Sequence, residues 1–240
     1  MELTTMKVTC LMESSVDGRI DESRWSLLYD AKGEGSPDVY IETKNQIEPE
    51  LTIIGRGTVL KHFCNQPFES KSHTKIACPK PFLAMRTKAQ ITAVFDSYGT
   101  IAYESSEIIG TNLLIILGSD CASQEYLDYL ESKEIAYTFA GSDGHDVKKA
   151  LKSLYSDFGI KNVLLSGGGI LNGAFLKQRL IDELYLVLYP GIDGHSKVSC
   201  VFEDQSIDGK SPASGQSLEL ISCQVKRAGV IVIHYRFHYY

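Results

Sequence analysis

Two short segments of this 240-residue chain carry residue types suited to gripping phosphate. One is Gly55-Arg56-Gly57-Thr58; the other is Ser166-Gly167-Gly168-Gly169-Ile170-Leu171-Asn172-Gly173. Each follows a short apolar run and precedes an amphipathic one, so each is predicted to join a buried strand to a helix. Glycines lack a Cβ, and another molecule can lie against their backbone. The first turn of a helix offers N–H groups without partners and a partial positive charge. Together these features suit a phosphate or pyrophosphate. In the first segment Thr58 can cap its helix or donate to a phosphate, and Arg56 can hold one through charge-assisted bonds. The plain alternatives are an N-cap beside a surface arginine and a tight turn with no ligand. As a pair, two such turns on one sheet suit the two ends of a dinucleotide.

Commoner readings of the glycines fail on spacing. G-x-G-x-x-G begun at Gly167 needs glycine at 172, where Asn172 stands; Gly173 comes one residue late. The acidic residue expected about 20 positions on is replaced by Tyr189 and Pro190. G-x-x-x-x-G-K-[ST] is absent, which disfavours a P-loop ATPase. No CxxC or HExxH occurs and the histidines show no ligand spacing, so no metal site is expected. Asp182-Glu183 are adjacent at a strand entry and point to opposite faces, which suits a structural role better than paired acid/base work.

The elements that must position these turns are read from periodicity. Strands are predicted over Met6–Met12, Leu51–Ile54 (ending at Gly55), Ile91–Phe95, Leu113–Leu117, Ile135–Phe139 and Asn162–Leu165. Helices are predicted over Pro37–Ile47, Thr58–Cys64, Ser123–Glu131, Val147–Phe158 and Ile170–Leu180. Ser14 to Arg19 reads as a turn and Asn65 to Pro81 as a surface loop. Strands alternating with helices imply a three-layer α/β/α fold with a central, mostly parallel sheet. The tail differs: Leu184–Tyr189, Leu218–Lys226 and Val230–His238 read as strands with no helix between them. The last two are joined by the short connection Arg227-Ala228-Gly229. They give the mixed sheet an antiparallel C-terminal edge, and the final strand suits a dimer contact better than a metal site. Pro190 to Gly215 reads as a long loop. No repeat or linker divides the chain, so residues 1–240 are read as a single domain.

Composition narrows the function classes. A net charge of −6 and the absence of a basic cluster argue against nucleic acid as a partner. No apolar run reaches the ~18 residues a membrane span needs. The N-terminus lacks a signal-peptide pattern, and the six scattered cysteines suit buried, reduced thiols in a cytoplasmic protein.

Five motifs in order make the chain similar to a known family. They are Ser15-Val16-Asp17-Gly18-Arg19-Ile20, Gly55-Arg56-Gly57-Thr58, Val94-Phe95-Asp96-Ser97, Gly167 to Gly173, and Leu180-Ile181-Asp182-Glu183-Leu184. From about Lys7 to Tyr235 the chain resembles the riboflavin-biosynthesis pyrimidine reductases, whose fold is that of dihydrofolate reductase. The resemblance implies NADPH over the carboxyl edge of the sheet and a small-molecule substrate, a pyrimidine ribosyl phosphate. It also implies a homodimer. Gly55, Arg56 and Thr58 would hold part of the phosphates and the adenosine end, with Arg56 the first choice for the 2′-phosphate. Gly167, Gly168, Gly169, Ile170, Leu171 and Asn172 would hold the pyrophosphate, and Ser97 would touch the cofactor. In Ser23-Arg24-Trp25, Ser23 would meet the substrate and Trp25 would flank the nicotinamide, with a core or interface aromatic as the alternative. Asp17 matches a substrate-side position and also suits a turn before Gly18. Proton-donor candidates are Ser23, Ser166 and a bound water; candidates for the substrate phosphate are Arg19, Arg24, Lys80 and Arg86.

The chain departs from the family at two positions. Ser166 stands where the riboflavin-pathway enzymes usually carry a substrate-recognising Glu, and His62 where an acidic residue is common. The zinc-deaminase signature of the bifunctional bacterial enzymes is absent, so the resemblance implies a stand-alone reductase. Two alternatives remain: a dihydrofolate reductase-like oxidoreductase of another substrate, and a non-catalytic nucleotide-binding module on the same fold.

Overall fold

A computed structural model describes residues 6–29, 38–63, 66–72, 74–84, 88–205, 209 and 211–240. The first half of the chain carries β1 (Lys7–Ser14), α1 (Val39–Ile47), β2 (Leu51–Gly55), α2 (Arg56–His62), β3 (Ile91–Phe95), β4 (Glu107–Ile108) and β5 (Thr111–Leu117). The rest carries α3 (Gln124–Ser132), β6 (Ala136–Phe139), α4 (Val147–Ser156), β7 (Asn162–Leu165), α5 (Gly169–Lys177), β8 (Glu183–Leu188), β9 (Gln216–Val225) and β10 (Ile231–Tyr239). The strands make a ten-stranded mixed sheet flanked by helices, the α/β architecture read from the sequence. Backbone contacts divide the chain into two compact units, residues 1–6 with 50–163, and residues 7–49 with 164–240.

In the unit built on residues 50–163 the strand order is β4-β5-β3-β2, with β6 paired to β5. β2–β3, β3–β5 and β5–β6 are parallel, and only the two-residue β4 runs antiparallel. The register aligns Gly55 with Phe95, Phe95 with Ile116, and Leu117 with Phe139. The turns after β2, β3, β5 and β6 therefore open from one end of these strands, where α/β sheets bind ligands. Ile54, Val94 and Ile115 are buried on one face of the sheet, and Tyr126, Leu127 and Leu130 of α3, at helical spacing, join them in one core cluster. Ser123 caps α3 by accepting from the Tyr126 N–H, and Asp146 caps α4 by accepting from the Lys149 N–H.

In the other unit the order is β7-β1-β8-β10-β9. β1 and β8 are parallel, whereas β8–β10 and β10–β9 are antiparallel. Leu11, Val39, Leu164, Val187, Tyr189, Val230 and Val232 form the core, and Trp25, Tyr40 and Tyr185 pack against it. The Asp38 carboxylate caps α1 by accepting from Ile41 N–H at 3.0 Å. Asp182 accepts from Val8 N–H at 2.7 Å, and Glu183 pairs with Lys7 at 2.8 Å, so both act structurally at the strand entry.

Several boundaries move. β1 runs two residues past Met12 and takes in Glu13 and Ser14. α2 starts at Arg56, not Thr58, so Gly55 is its N-cap. α5 starts at Gly169 and ends at Lys177, three residues before Leu180. Pro37 and Cys64, the expected ends of two helices, lie outside the described residues. The cysteine reading needs correction: of the described cysteines Cys10 is buried, but Cys78 and Cys223 are exposed. Cys223 lies on β9, a strand with one neighbour and little cover.

Candidate functional site

The turn before α5 and the first turns of that helix hold four glycines with separate physical reasons. Gly167 has φ of 69°, and a Cβ there would stand 2.7 Å from the Met12 sulfur. A Cβ on Gly169 would stand 2.2 Å from the Cys200 carbonyl oxygen, and one on Gly173 would stand 1.8 Å from that of Glu203. The 200–203 segment lies on this helix, and Glu203 N–H donates to the Gly169 carbonyl. Gly168 differs: a Cβ there meets no atom of the described residues within 4 Å. Gly168 is also the N-cap of α5, and no side chain caps that helix. Its first-turn N–H groups have no side-chain acceptor to compete with an anion.

Two buried polar atoms lie close by. Asn172 is fully buried; its Nδ2 donates to the Val201 carbonyl at 2.8 Å, while Oδ1 has no partner among the described residues. Ser14 is 1% exposed and its hydroxyl is likewise unpartnered. Strand alternation puts Ser14 on the same face of β1 as Met12, whose sulfur touches the Gly167 position. Buried polar groups are normally satisfied, so these two orphans mark groups that a bound molecule can complete. Ile170 is exposed at the start of α5.

Ser166 precedes the turn, and its hydroxyl shares a 2.7 Å hydrogen bond with the Tyr40 hydroxyl. Burial pushes the Tyr40 phenol up to about 12, partly offset by that bond, and the Glu13 charge adds to the rise. Glu13 lies near the carboxyl end of β1. Burial, then Glu22 and Asp38, raise its carboxyl to about 7.

Ser23 does not join this pair. It is exposed on the one-turn 3-10 segment Glu22–Arg24 and donates to Asp21 at 2.7 Å. The two candidate catalytic serines therefore belong to separate hydrogen-bonded pairs. Trp25 stacks obliquely on Tyr189, centroids 5.6 Å apart, and its indole N–H is buried without an acceptor among the described residues. Asp17 works in the turn before Gly18: its carboxylate accepts from Ser15 Oγ at 2.6 Å and from the Asp193 and Gly194 N–H groups. Those bonds, led by the one from Ser15, hold its carboxyl well below the usual carboxylate range.

In the other unit, among the described residues, α2 also lacks a side-chain cap, and a Cβ on Gly57 would meet nothing within 4 Å. Arg56 is half exposed; its Nε donates to Thr100 Oγ1 at 2.6 Å and lies 3.9 Å from Asp96. Asp96 is buried and accepts from Thr100 N–H, Thr100 Oγ1 and Ile101 N–H. Burial raises its carboxyl, and these bonds and Arg56 oppose the rise. Ser97 donates to the Gly144 carbonyl at 3.3 Å, and Ser119 and Asp120 N–H groups reach Gly141 and Ser142. The turns after β3, β5 and β6 are thus stitched to one another. The sequence singles out only Ser97 of this set.

The candidate phosphate-binding cations are differently placed. Arg24 is held by Asp193 at 2.9 Å and Asp21 at 3.5 Å, Arg19 donates to the Val198 carbonyl, and Lys80 is exposed in a loop. Arg86 lies outside the described residues.

The sequence matches the model of the RibD C-terminal domain over residues 6–232. It is 24% identical over 216 residues to the riboflavin biosynthesis protein RibD of Chlamydia pneumoniae, covering 89% of this chain and 54% of that protein. It is 31% identical over 84 residues to the 2,5-diamino-6-ribosylamino-4(3H)-pyrimidinone 5′-phosphate reductase of Aquifex aeolicus, covering 35% of this chain and 37% of that one. The chain thus spans about half the length of the RibD relative, and less of the second. In structure it is similar to a pyrimidine reductase-like protein of Corynebacterium diphtheriae, with TM-score 0.67, 15% identity, and 99% and 95% of the two chains covered. It is also similar to the yeast riboflavin biosynthesis reductase Rib7, with TM-score 0.62, 14% identity, and 99% and 92% covered. These likenesses show a shared fold. With the family model matched over residues 6–232 of 240, the chain belongs to the RibD C-terminal domain family.

Proposed function

We propose that this chain is an NADPH-dependent reductase of a pyrimidine ribosyl phosphate of riboflavin biosynthesis. The substrate is 5-amino-6-(5-phosphoribosylamino)uracil or its diaminopyrimidine counterpart. Family membership and the names of the relatives support the reaction class. The observation that carries the cofactor reading is Gly168, the one glycine of its run that no atom of the described residues crowds, at the start of a helix with no side-chain cap among them. In this reading residues 1–240 act as one reductase domain, and β9, an edge strand with exposed Leu218, Leu220 and Val225, forms a homodimer contact.

NADPH supplies the hydride, and the protein supplies position and water exclusion. Gly167 to Asn172 take the pyrophosphate, with Ser14 and Asn172 offering their unpartnered groups. Gly55, Arg56 and Thr58 take the remaining phosphate and adenosine contacts. Thr100 holds Arg56 at Nε and leaves the outer guanidinium nitrogens for the 2′-phosphate. Ser97 orders the neighbouring turns around the cofactor. Trp25 flanks the nicotinamide, and Ser166, through its bond to Tyr40, faces the substrate. Ser23 and Asp17 serve the substrate side through the segments they hold at Asp21 and at Asp193-Gly194.

The test is NADPH oxidation by the purified protein with each of the two pyrimidine ribosyl phosphates. Turnover of either is expected. Turnover of dihydrofolate but of neither pyrimidine would point to the other-substrate oxidoreductase. NADPH binding with no oxidation across pyrimidines and pterins would point to a non-catalytic module.

A further inference from the structure

We propose that Glu13 is a specificity-determining residue: with the Tyr40–Ser166 hydroxyl pair it forms the polar wall that takes the N–H/C=O edge of a pyrimidine base. The proposal rests on the reductase reading above.

Position argues first. Thr9, Leu11 and Glu13 share one face of β1. Leu11 lies in the core against which Tyr40 and Trp25 pack. Glu13 continues that face beyond the core, at the carboxyl end of the strand, where α/β sheets receive their ligands. Its side of β1 is that of Leu11, against which Tyr40 packs; the other side, with Met12, meets the glycine turn.

Bonding argues second. The carboxyl of Glu13 is partly buried, and no hydrogen bond or ion pair to it exists among the described residues. The charged groups that act on it are acidic: Glu22 from the 3-10 segment and Asp38 from the cap of α1. Tyr40, on α1, feels its charge, as it does that of Cys10 on the opposite face of β1. A structural carboxylate would have a cation or a set of N–H donors, as Asp96 and Asp17 do. Glu13 has neither and is raised to about 7, so near neutral pH it exists in both forms. The protonated form presents one O–H donor beside one C=O acceptor, the complement of a lactam edge. The Tyr40–Ser166 pair spends one hydroxyl proton on its internal bond and keeps the other to donate.

The experiment is calorimetric titration of 5-amino-6-(5-phosphoribosylamino)uracil into wild type, E13Q and E13A at pH 6 and pH 8, without NADPH. NADPH affinity and cooperative unfolding are measured on the same samples. Wild-type binding is expected to weaken by up to about tenfold from pH 6 to pH 8, as a carboxyl titrating near 7 loses its proton. E13Q keeps a donor and an acceptor, so it should bind within about threefold of wild type at pH 6 and show no pH step. E13A should bind about tenfold more weakly at pH 6, with NADPH affinity unchanged. Wild-type-like binding by E13A, or a wild-type pH step in E13Q, overturns the proposal. If wild type neither binds the uracil compound nor oxidises NADPH with it, the reductase reading falls, and this assignment with it. Wild-type turnover together with unaltered E13A overturns the Glu13 assignment alone.

Discussion

At the turn into α5 and along its first turns the protein itself accounts for most of the glycine: Gly167 by its backbone angle and the Met12 sulfur, Gly169 and Gly173 by the carbonyls of Cys200 and Glu203. Gly168 alone is open. At the turn before α2 the protein does not crowd Gly57, and the arginine between the glycines is held at Thr100 and Asp96. Both helices lack a side-chain cap, whereas α1, α3 and α4 are capped by Asp38, Ser123 and Asp146. A glycine run in a sequence therefore mixes two messages, close packing and room for a ligand. Only the positions that packing leaves unexplained speak for the ligand. Two carboxyls differ in the same way: Asp96 is satisfied by Thr100 and Ile101, and Glu13 has no partner among the described residues.

The largest expected effect is at Gly173. Gly173→Ala puts a methyl into a backbone carbonyl and should lower stability by about 3 kcal/mol in urea denaturation. A loss under about 1 kcal/mol would mean the 200–203 segment yields easily, and the packing half of the comparison would fail. Next is the pH behaviour of Glu13. Its folded-state carboxyl is raised from 4.5 to about 7, so between those values the folded chain keeps a proton that the unfolded chain releases. The stability this contributes is full below pH 4.5 and is lost as pH rises through 7. E13Q should therefore match wild type near pH 4 and exceed it by about 3 kcal/mol at pH 8. An equal difference at both pH values would show that Glu13 does not titrate as described.

Smaller effects come from the α2 side. Thr100→Val removes a hydroxyl that Asp96 and Arg56 share and should cost about 1 kcal/mol. It should also weaken NADPH more than NADH, because Arg56 loses its anchor; equal losses for the two cofactors would remove Arg56 from the 2′-phosphate. Gly57→Ala, in open space within a helix, should stabilise by about 0.5 kcal/mol. The same substitution thus has opposite signs at positions 57 and 173, and a destabilised Gly57→Ala would erase that contrast.

The strands and their alternation with helices are legible in the sequence because each core strand is an apolar run: Ile91–Phe95 and Asn162–Leu165 fall where periodicity puts them. β4 is not legible, since two residues make no pattern. The β1 reading stops at Met12 because Glu13 and Ser14 end the apolar run, and so it omits the carboxyl at the strand's end. The Tyr40–Ser166 bond joins residues 126 positions apart, and no local spacing signals it. The burial of cysteines is misread at Cys223 because an apolar run marks a strand, not its cover.

In the proposed reading Gly168 is open because the cofactor pyrophosphate lies there. Calorimetric titration of NADPH into wild type, G168A and G168D tests it most directly, with urea denaturation of each. The account predicts stability within about 1 kcal/mol of wild type in G168A. It predicts micromolar NADPH binding by wild type, a loss of about tenfold in G168A, and a larger loss in G168D, whose carboxylate repels the phosphates. Unchanged NADPH affinity in G168D, in a protein that is folded and binds NADPH, would contradict it.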